Sequence, residues 1–255
     1  MKIAPKVGDI YQLGNHILGC GSATDKEFVE KIVKHVKSVR CILTDPPYGV
    51  GYVEGKKNFG KIGESYKDTK LIANDQLQTE KTFEEFTVQW LEAIKPFLDH
   101  YNSLYIFGGD SMARANRNAM DAAGFFYSQM LVWVKNSVVV GRKDYLPMHE
   151  VIIYGWYGRH KFERSKAKSI IFHPKPNVSR LHPTMKPVGL LRKIIPNGTK
   201  TGDVVYDPFG GSGSTLMACE HLGRRCLMIE LDPGYVATII ARWEKLIEKK
   251  AVKLD

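Results

Sequence analysis

Cysteine is scarce in this 255-residue chain, which holds only four, at positions 20, 41, 219 and 226. No two cysteines are spaced as CxxC, so neither a zinc ribbon nor a thioredoxin-like redox motif is indicated. A zinc-protease motif is also excluded, because Ile153 stands where HExxH would need a second histidine after His149. We therefore expect free thiols in a reducing compartment and no metal site.

Long apolar runs are missing as well. No run approaches the 18 residues that a membrane-spanning helix needs, and the first residues lack the apolar core of a signal peptide. The chain has no internal repeat, and its 23 glycines and 12 prolines are too few for a collagen-like or disordered protein. These absences predict a cytoplasmic globular protein of one or two domains.

Acidic residues are in the minority, with 27 Asp and Glu against 37 Lys and Arg, which gives a net charge of +10. Such an excess favours a polyanionic partner, of which nucleic acid is the commonest. Charge alone is equally compatible with a basic globular protein that has no such partner.

Short apolar runs alternate with amphipathic helical patterns along the chain. This alternation predicts an α/β fold with a doubly wound, mostly parallel sheet, in which ligands bind at the carboxyl ends of the strands. The predicted strands are 16–20, 39–44, 103–107, 127–134, 151–156, 204–206 and 225–231. The predicted helices are 25–37, 82–98, 111–123, 190–195, 214–221 and a last one that begins after Asp232.

A glycine-rich turn, DPFGGSGST, joins a predicted strand to a helix at residues 207–215. Its small residues let a ligand approach the backbone, and the helix N-terminus suits a phosphate or a carboxylate. No lysine follows the glycines, so it is not a P-loop, and the GxGxxG spacing of dinucleotide sites is absent. Glu230 ends the next strand, where it can accept hydrogen bonds from both ribose hydroxyls. S-adenosylmethionine, a nucleoside with an amino-acid end, fits this pattern; a purely structural turn is the alternative.

A second unusual turn, DPPY, follows the strand 39–44. Pro46 and Pro47 stiffen it and lack backbone donors, which leaves carbonyl acceptors beside the Asp45 carboxylate and the Tyr48 ring. This set suits the exocyclic amino group of a flat base, because acceptors localise its lone pair and the ring can stack. The alternative is that the two prolines merely end a strand.

Together, and in this order, the two turns resemble those of the β class of permuted amino-methyltransferases acting on DNA, nearest to the adenine methylases of phages and those associated with ParB-like domains. Three more segments match motifs of that family: LGCGSATD (18–25), the DY…HE…YGW stretch (144–156) and HPTMKP (182–187). The resemblance covers nearly the whole chain. It implies a Rossmann-like S-adenosylmethionine-dependent methyltransferase fold, with a seven-stranded, mostly parallel sheet that contains one antiparallel strand and a circularly permuted motif order.

The resemblance also implies one catalytic domain over 1–255, with a small target-recognition insert at about 136–181 and a mobile loop at about 49–78. It assigns S-adenosylmethionine as the cofactor, S-adenosylhomocysteine as its product and no metal. The cofactor-binding residues that it implies are Cys20, Gly21, Ser22, Asp45, His182, Thr184, Lys186, Asp207, Pro208, Phe209, Gly210, Gly211, Ser212, Gly213, Ser214, Thr215, Glu230 and Leu231.

The implied reaction is methylation of the N6 amino group of adenine in DNA, by base flipping and in-line displacement, with Asp45, Pro46, Pro47 and Tyr48 as catalytic residues. DPPY resembles the adenine enzymes more than the cytosine enzymes, which often carry SPPY. Methylation of cytosine N4 is the first alternative. A catalytically silent, cofactor-sensing DNA-binding protein is the second, although such a protein would not need an intact DPPY.

Basic residues with interleaved aromatics fill the expected recognition insert, and the loop 49–78 adds further lysines. They predict a surface for double-stranded DNA; a charged face that is merely solvated is the alternative. A homodimer and a cognate restriction endonuclease are further partners that the family allows. The predicted DNA-binding residues are Lys56, Lys57, Arg142, Lys143, Arg159, Lys161, Arg164, Lys166 and Lys168.

One departure from the family pattern generates a prediction. Ser22 stands where the family usually carries Asp, near the cofactor adenine. Because serine offers a hydrogen bond without charge, we expect Ser22→Asp to bind S-adenosylmethionine more tightly than the natural chain. Calorimetry measures the two dissociation constants, and equal values would contradict this interpretation.

Overall fold

Ten strands of one sheet run through the part of the chain that the computed structural model describes, residues 4–47, 79–138, 144–164, 167–175 and 185–254. The strands are β1 (Ile10–Leu13), β2 (His16–Cys20), β3 (Val39–Thr44), β4 (Leu98–Gly108), β5 (Phe125–Val134), β6 (His149–Tyr157), β7 (Ile170–Phe172), β8 (Val204–Asp207), β9 (Arg225–Glu230) and β10 (Val252–Leu254). The helices are α1 (Lys26–Val33), α2 (Glu80–Ile94), α3 (Ala113–Ala122), α4 (Val188–Gly198), α5 (Ser214–Leu222) and α6 (Pro233–Ile247).

The strand order is β10-β1-β2-β9-β8-β3-β4-β6-β5-β7. The seven central strands in this spatial order, β2-β9-β8-β3-β4-β6-β5, are the strands that the sequence predicted. Among them, β6 runs antiparallel to both its neighbours. The predicted methyltransferase-like sheet is thus confirmed. The sequence did not predict three short strands at the edges: β1 and β10 pair antiparallel beside β2, and β7 pairs parallel with β5.

Helices cover both faces of the sheet, as a doubly wound fold requires. On one face α4, α5 and α6 bury apolar side chains such as Ile194, Leu216 and Trp243. On the other face α1, α2 and α3 bury Ile32, Trp90 and their neighbours. No helix within the described ranges is both long and apolar enough to cross a membrane.

Capping residues fix where helices begin. The side chains of Asp25 and Asp232 accept hydrogen bonds from the first backbone N–H groups of α1 and α6. Two helices end earlier than predicted: α1 stops at Val33, and the last turn expected for α2 is a separate 3₁₀ turn at Lys95–Phe97. A proline in that turn lacks the N–H that would continue an α-helix.

Because most strands run in one direction, the sheet has one side where these strands begin and an opposite side where they end. Strands β2, β3, β4, β5, β7, β8 and β9 all point the same way, so their carboxyl ends share one edge, called here the carboxyl edge. Their starts share the opposite, amino edge. Because β6 is antiparallel, the residues before it lie at the carboxyl edge and those after it lie at the amino edge.

A buried arginine organises the amino edge. The Arg40 guanidinium, 9% exposed as a residue, lies 3.0 Å from Glu163, 3.5 Å from Asp99 and 3.9 Å from Asp203, and it donates to the Tyr101 carbonyl. These groups come from the starts of β3, β4 and β8 and from the segment after β6. Arg40 therefore ties that segment to the sheet.

We expect Arg40→Met to lower the free energy of unfolding by about 3 kcal/mol, because three carboxylates would lose the one cation they share. Urea unfolding measures the change. Lys34→Met is the control: its exposed pair with Glu30, at 3.8 Å, contributes less than about 0.5 kcal/mol. Equal effects of the two substitutions would show that Arg40 has no such organising role.

Candidate active site

A cavity of about 1020 Å³ opens at the carboxyl edge of the sheet. Chain segments that follow the central strands line it, as expected for a doubly wound sheet. The lining includes residues 21–24, 43–47, 109–111, 144–151, 207–212 and 230–231, together with Lys135, Lys175, Lys186, Ser214 and Thr215. The described parts of the DPPY turn and of the glycine-rich turn thus line the same cavity.

The two turns are joined by a direct hydrogen bond. Strands β3 and β8 are parallel neighbours, and the Thr44 hydroxyl donates to Asp207 Oδ1 at 3.1 Å. The Phe209 backbone N–H donates to the same oxygen at 3.2 Å. Burial raises the pKa of Asp207 to about 7, against the hydrogen bonds from Thr215, Phe209 and Thr44 that lower it. Asp207 therefore links the start of the glycine turn to the end of the DPPY strand.

The glycine turn needs its glycines for space and for conformation. A Cβ on Gly210 would lie 2.7 Å from the Met228 sulfur, and Gly213 has a φ of +82°. Gly213 itself is the N-cap of α5, without a side chain to cap the helix, so the first N–H groups of α5 depend on other acceptors. Ser212 is buried, and its carbonyl accepts from Arg242 at 2.9 Å. This arrangement suits a carboxylate ligand.

Glu230 clamps the glycine turn against the end of β9. One carboxylate oxygen accepts from the Gly211 N–H at 2.7 Å and the other from the Asp232 N–H at 2.8 Å. Each oxygen keeps a second lone pair, and the residue lines the cavity. Burial raises the pKa of Glu230 to about 7 in spite of these backbone donors.

The end of β2 forms the neighbouring wall. The Gly21 N–H donates to the Glu230 carbonyl at 3.0 Å, and the Ser22 hydroxyl lies 2.9 Å from the Thr24 hydroxyl. Gly21, Ser22 and Leu231, three of the predicted cofactor-binding residues, line the cavity. Cys20 is fully buried in the core, and neither it nor Gly213 is among the lining residues.

The DPPY turn is described as far as Pro47, with Asp45, Pro46 and Pro47 all lining the cavity. Asp45 lies beside three other charged side chains. The Lys186 ammonium is 2.5 Å from Asp45 Oδ2 and 3.2 Å from Glu150 Oε2, and Lys135 is 2.7 Å from Glu150 Oε1. Signs alternate along this series, which we call the charge chain Asp45–Lys186–Glu150–Lys135.

Two members of the charge chain, Lys186 and Glu150, help to keep each other ionised. Burial would lower the pKa of the Lys186 ammonium, but the Asp45 and Glu150 carboxylates raise it above its ordinary value. Burial would likewise raise the pKa of Glu150, and Lys186 and Lys135 hold it below its usual range instead. A charged Lys186–Glu150 pair therefore lies against the Asp45 turn at neutral pH.

Three of the predicted DNA-binding residues are not near the cavity. Arg159, Lys161 and Arg164 follow β6, and the Arg159 backbone pairs with Tyr101 near the start of β4. They therefore lie at the amino edge, where Glu163 contacts Arg40. None of the three is among the cavity-lining residues, and their assignment to DNA binding stays a prediction. Lys168 is exposed just before β7.

Eight predicted site residues lie outside the described residues, as do the segment 49–78 and part of the segment 136–181. Their assignment stays a prediction. They are Tyr48, Lys56, Lys57, Arg142, Lys143, Lys166, His182 and Thr184.

The sequence prediction missed Lys135, Glu150, Trp133 and Lys175, which also line the cavity. Lys135 directly follows β5, and Glu150 is the second residue of β6. A charged residue at the carboxyl-edge end of an apolar strand was the available signal. Within the described ranges, no cluster of three or more His, Cys, Asp or Glu side chains is arranged to hold a metal ion.

Known proteins share parts of this sequence. The type II methyltransferase M.HpaI of Haemophilus parainfluenzae is 24% identical over 224 residues, which cover 78% of this chain and 66% of M.HpaI. The chain thus matches just under two thirds of that relative's length.

Two solved structures share the fold. The M1.HpyAVI–SAM complex superposes with a TM-score of 0.64 at 24% identity, covering 88% of this chain and 98% of that one. The PvuII DNA methyltransferase, described as cytosine-N4-specific, gives a TM-score of 0.71 at 18% identity, covering 95% and 94%. At these identities the likeness establishes the fold.

A family profile also matches most of the chain. The sequence profile of the N6/N4 methyltransferase family, described as DNA methylase, matches residues 39–241. This range contains β3 with the DPPY turn, the charge chain, the glycine turn and Glu230. By this match, the chain belongs to the N6/N4 DNA methylase family.

Proposed function

We propose that this protein transfers a methyl group from S-adenosylmethionine to the N6 amino group of adenine in double-stranded DNA. The observation that carries the proposal is the meeting of two turns in one cavity, joined by the 3.1 Å hydrogen bond between Thr44 and Asp207. One turn suits a nucleoside with an amino-acid end, and the other suits the amino group of a base. Family membership supports the methylation of DNA, and the M1.HpyAVI–SAM complex supports this cofactor.

The cavity residues fit S-adenosylmethionine. The Glu230 carboxylate can accept from the two ribose hydroxyls, with Ser22 and Leu231 on the adenine side. The glycine turn and the uncapped start of α5 would hold the carboxylate of the methionine end. When bound, this cofactor supplies a methyl group on a sulfonium, which needs no metal activation.

The residues after β3 would hold the target amino group. The Asp45 carboxylate and the Pro46 carbonyl are acceptors at the cavity wall, and hydrogen bonds to them would localise the nitrogen lone pair. Catalysis in this proposal is alignment and electrostatics. A base in a duplex cannot reach this buried position, so it must be flipped out, which costs a few kcal/mol of unstacking and unpairing.

DNA would approach the cavity mouth at the carboxyl edge. Tyr145 lines the mouth and is 91% exposed, and Phe172 ends β7 at the same edge with 70% exposure. Exposed aromatic rings are suited to stacking on bases, and Lys175 adds a cation to the lining. Arg142 and Lys143 stay part of the proposed surface by their sequence position alone. The proposal requires neither a homodimer nor a restriction endonuclease.

The choice of adenine rests on the DPPY sequence. Methylation of cytosine N4 is the second candidate, favoured by the likeness of fold to the cytosine-N4-specific PvuII enzyme. Both candidates use the same cavity and the same Asp45.

We expect the protein to transfer tritium from methyl-labelled S-adenosylmethionine to DNA, and nucleoside analysis to find the label in N6-methyl-2′-deoxyadenosine. Asp45→Ala should lower the rate at least about 100-fold, since it removes an acceptor used in the transition state. Lys186 would keep Glu150 as its partner, so cofactor affinity should stay within about threefold.

Label in N4-methylcytosine would overturn the adenine assignment alone. Cofactor binding without transfer to any DNA would favour the silent DNA-binding protein. Loss of cofactor binding in Asp45→Ala would mean that Asp45 serves the cofactor and not the base.

Cofactor affinity should depend on pH through Glu230. Its pKa of about 7 means that the carboxylate is mostly protonated at pH 6 and mostly ionised at pH 8. The ionised form is the better acceptor for ribose hydroxyls, so the dissociation constant of S-adenosylmethionine should fall about tenfold over this interval. Calorimetry at pH 6, 7 and 8 measures it.

Glu230→Gln is the matched control. In this variant only Glu230 no longer titrates, whereas Asp207 and the ligand titrate as before. The dissociation constant of the natural protein should therefore change about tenfold more between pH 6 and pH 8 than that of the variant. Identical pH curves would exclude Glu230 as the ribose acceptor.

A further inference from the structure

The charge chain Asp45–Lys186–Glu150–Lys135 joins four parts of the fold beside the cavity. Its links, from Asp45 onward, are 2.5 Å, 3.2 Å and 2.7 Å. Asp45 follows β3, Lys186 precedes α4, Glu150 is the second residue of β6 and Lys135 follows β5. The side chains of Lys186 and Lys135 are 7% and 2% exposed.

Such a buried array is a weak source of stability. Removing each ion from water costs several kcal/mol, and apolar side chains of similar volume often hold a fold as well. The charge chain ends at the Asp45 carboxylate, which lines the cavity. We therefore expect the array to act on the orientation of Asp45.

We propose that Glu150 is a positioning residue that, anchored by Lys135, fixes the Lys186 ammonium on the Asp45 carboxylate. This inference rests on the proposed function and names residues that serve its catalytic aspartate. A lysine is a point charge on a flexible four-carbon stem, so a contact with Asp45 alone leaves its ammonium several positions. The second contact, to Glu150 Oε2, selects one.

The surroundings restrict the two lysines further. The Lys186 ammonium lies 5.5 Å from the centre of the Phe107 ring, and the Lys135 ammonium lies 5.1 Å from the Trp133 ring. The indole N–H of Trp133 donates to the His173 carbonyl at 2.7 Å, which fixes that ring. Glu150 thus stands between two cations that are each held on an aromatic face.

Steady-state methylation by Glu150→Leu and by the double variant Glu150→Leu/Lys135→Met tests the role. Glu150→Leu removes both carboxylate oxygens and should lower kcat about 10- to 100-fold, the effect of misplacing a catalytic group by about 1 Å, with the dissociation constant of S-adenosylmethionine within about twofold. The double variant removes one charge of each sign and restores neutrality. It should remain as slow as Glu150→Leu, because Lys186 still lacks its contact with the side chain at position 150.

Recovery of kcat in the double variant would overturn the inference, since it would reduce the effect of Glu150→Leu to an unbalanced charge. A kcat within about threefold of the natural protein in Glu150→Leu would overturn it as well. Glu30→Leu, at an exposed residue of α1, is the matched control and should be unchanged.

Glu150→Asp keeps the charge and decides the matter if Glu150→Leu does not fold. Its shorter side chain cannot span both lysines, so kcat should again fall about tenfold; an unchanged kcat would contradict a positioning role. Failure of the natural protein to methylate any DNA is a different result and counts against the proposed function.

Discussion

The hydrogen bond between Thr44 and Asp207 is the contact on which the rest of the site depends. The two residues are 163 positions apart in the sequence but end neighbouring parallel strands. Parallel strands place all their carboxyl ends at one edge, so any turn that follows them faces the same space. This constraint brings the DPPY and glycine turns together whatever their order along the chain. It also explains how a permuted motif order can build one undivided cavity.

The sheet has two edges with different electrostatic roles. At the amino edge a single buried Arg40 is shared by Asp99, Glu163 and Asp203, which fixes the segment after β6. At the carboxyl edge burial raises the pKa values of Asp207 and Glu230 to about 7, whereas Glu150 is held ionised by two lysines. Carboxylates of one cavity thus have different tendencies to ionise, set by whether a cation or only hydrogen-bond donors face them.

The sequence predicted the centre of the fold better than its margins. Strands β3, β8 and β9 are continuous apolar runs because both their faces are buried, and such runs are easily seen. The edge strands β1, β7 and β10 have only three or four residues, and β7 and β10 are largely exposed, so they leave no periodic pattern. For the site, Asp45, the glycine turn and Glu230 were found because unusual residue types follow strands. The charge chain was missed because its pairing is made by tertiary contacts. The position of Arg159, Lys161 and Arg164 at the amino edge was not foreseen, because a count of charges carries no direction.

In the proposed function, one cavity brings a flipped base to Asp45 beside the cofactor. A crystal structure of the protein with S-adenosylhomocysteine and a duplex that carries its methylation site would show this arrangement. We expect an extrahelical base whose exocyclic nitrogen lies about 3 Å from the Asp45 carboxylate and the Pro46 carbonyl, with the ribose hydroxyls of the product on Glu230. A target base that stays stacked in the duplex, or an Asp45 that contacts only the cofactor product, would contradict it.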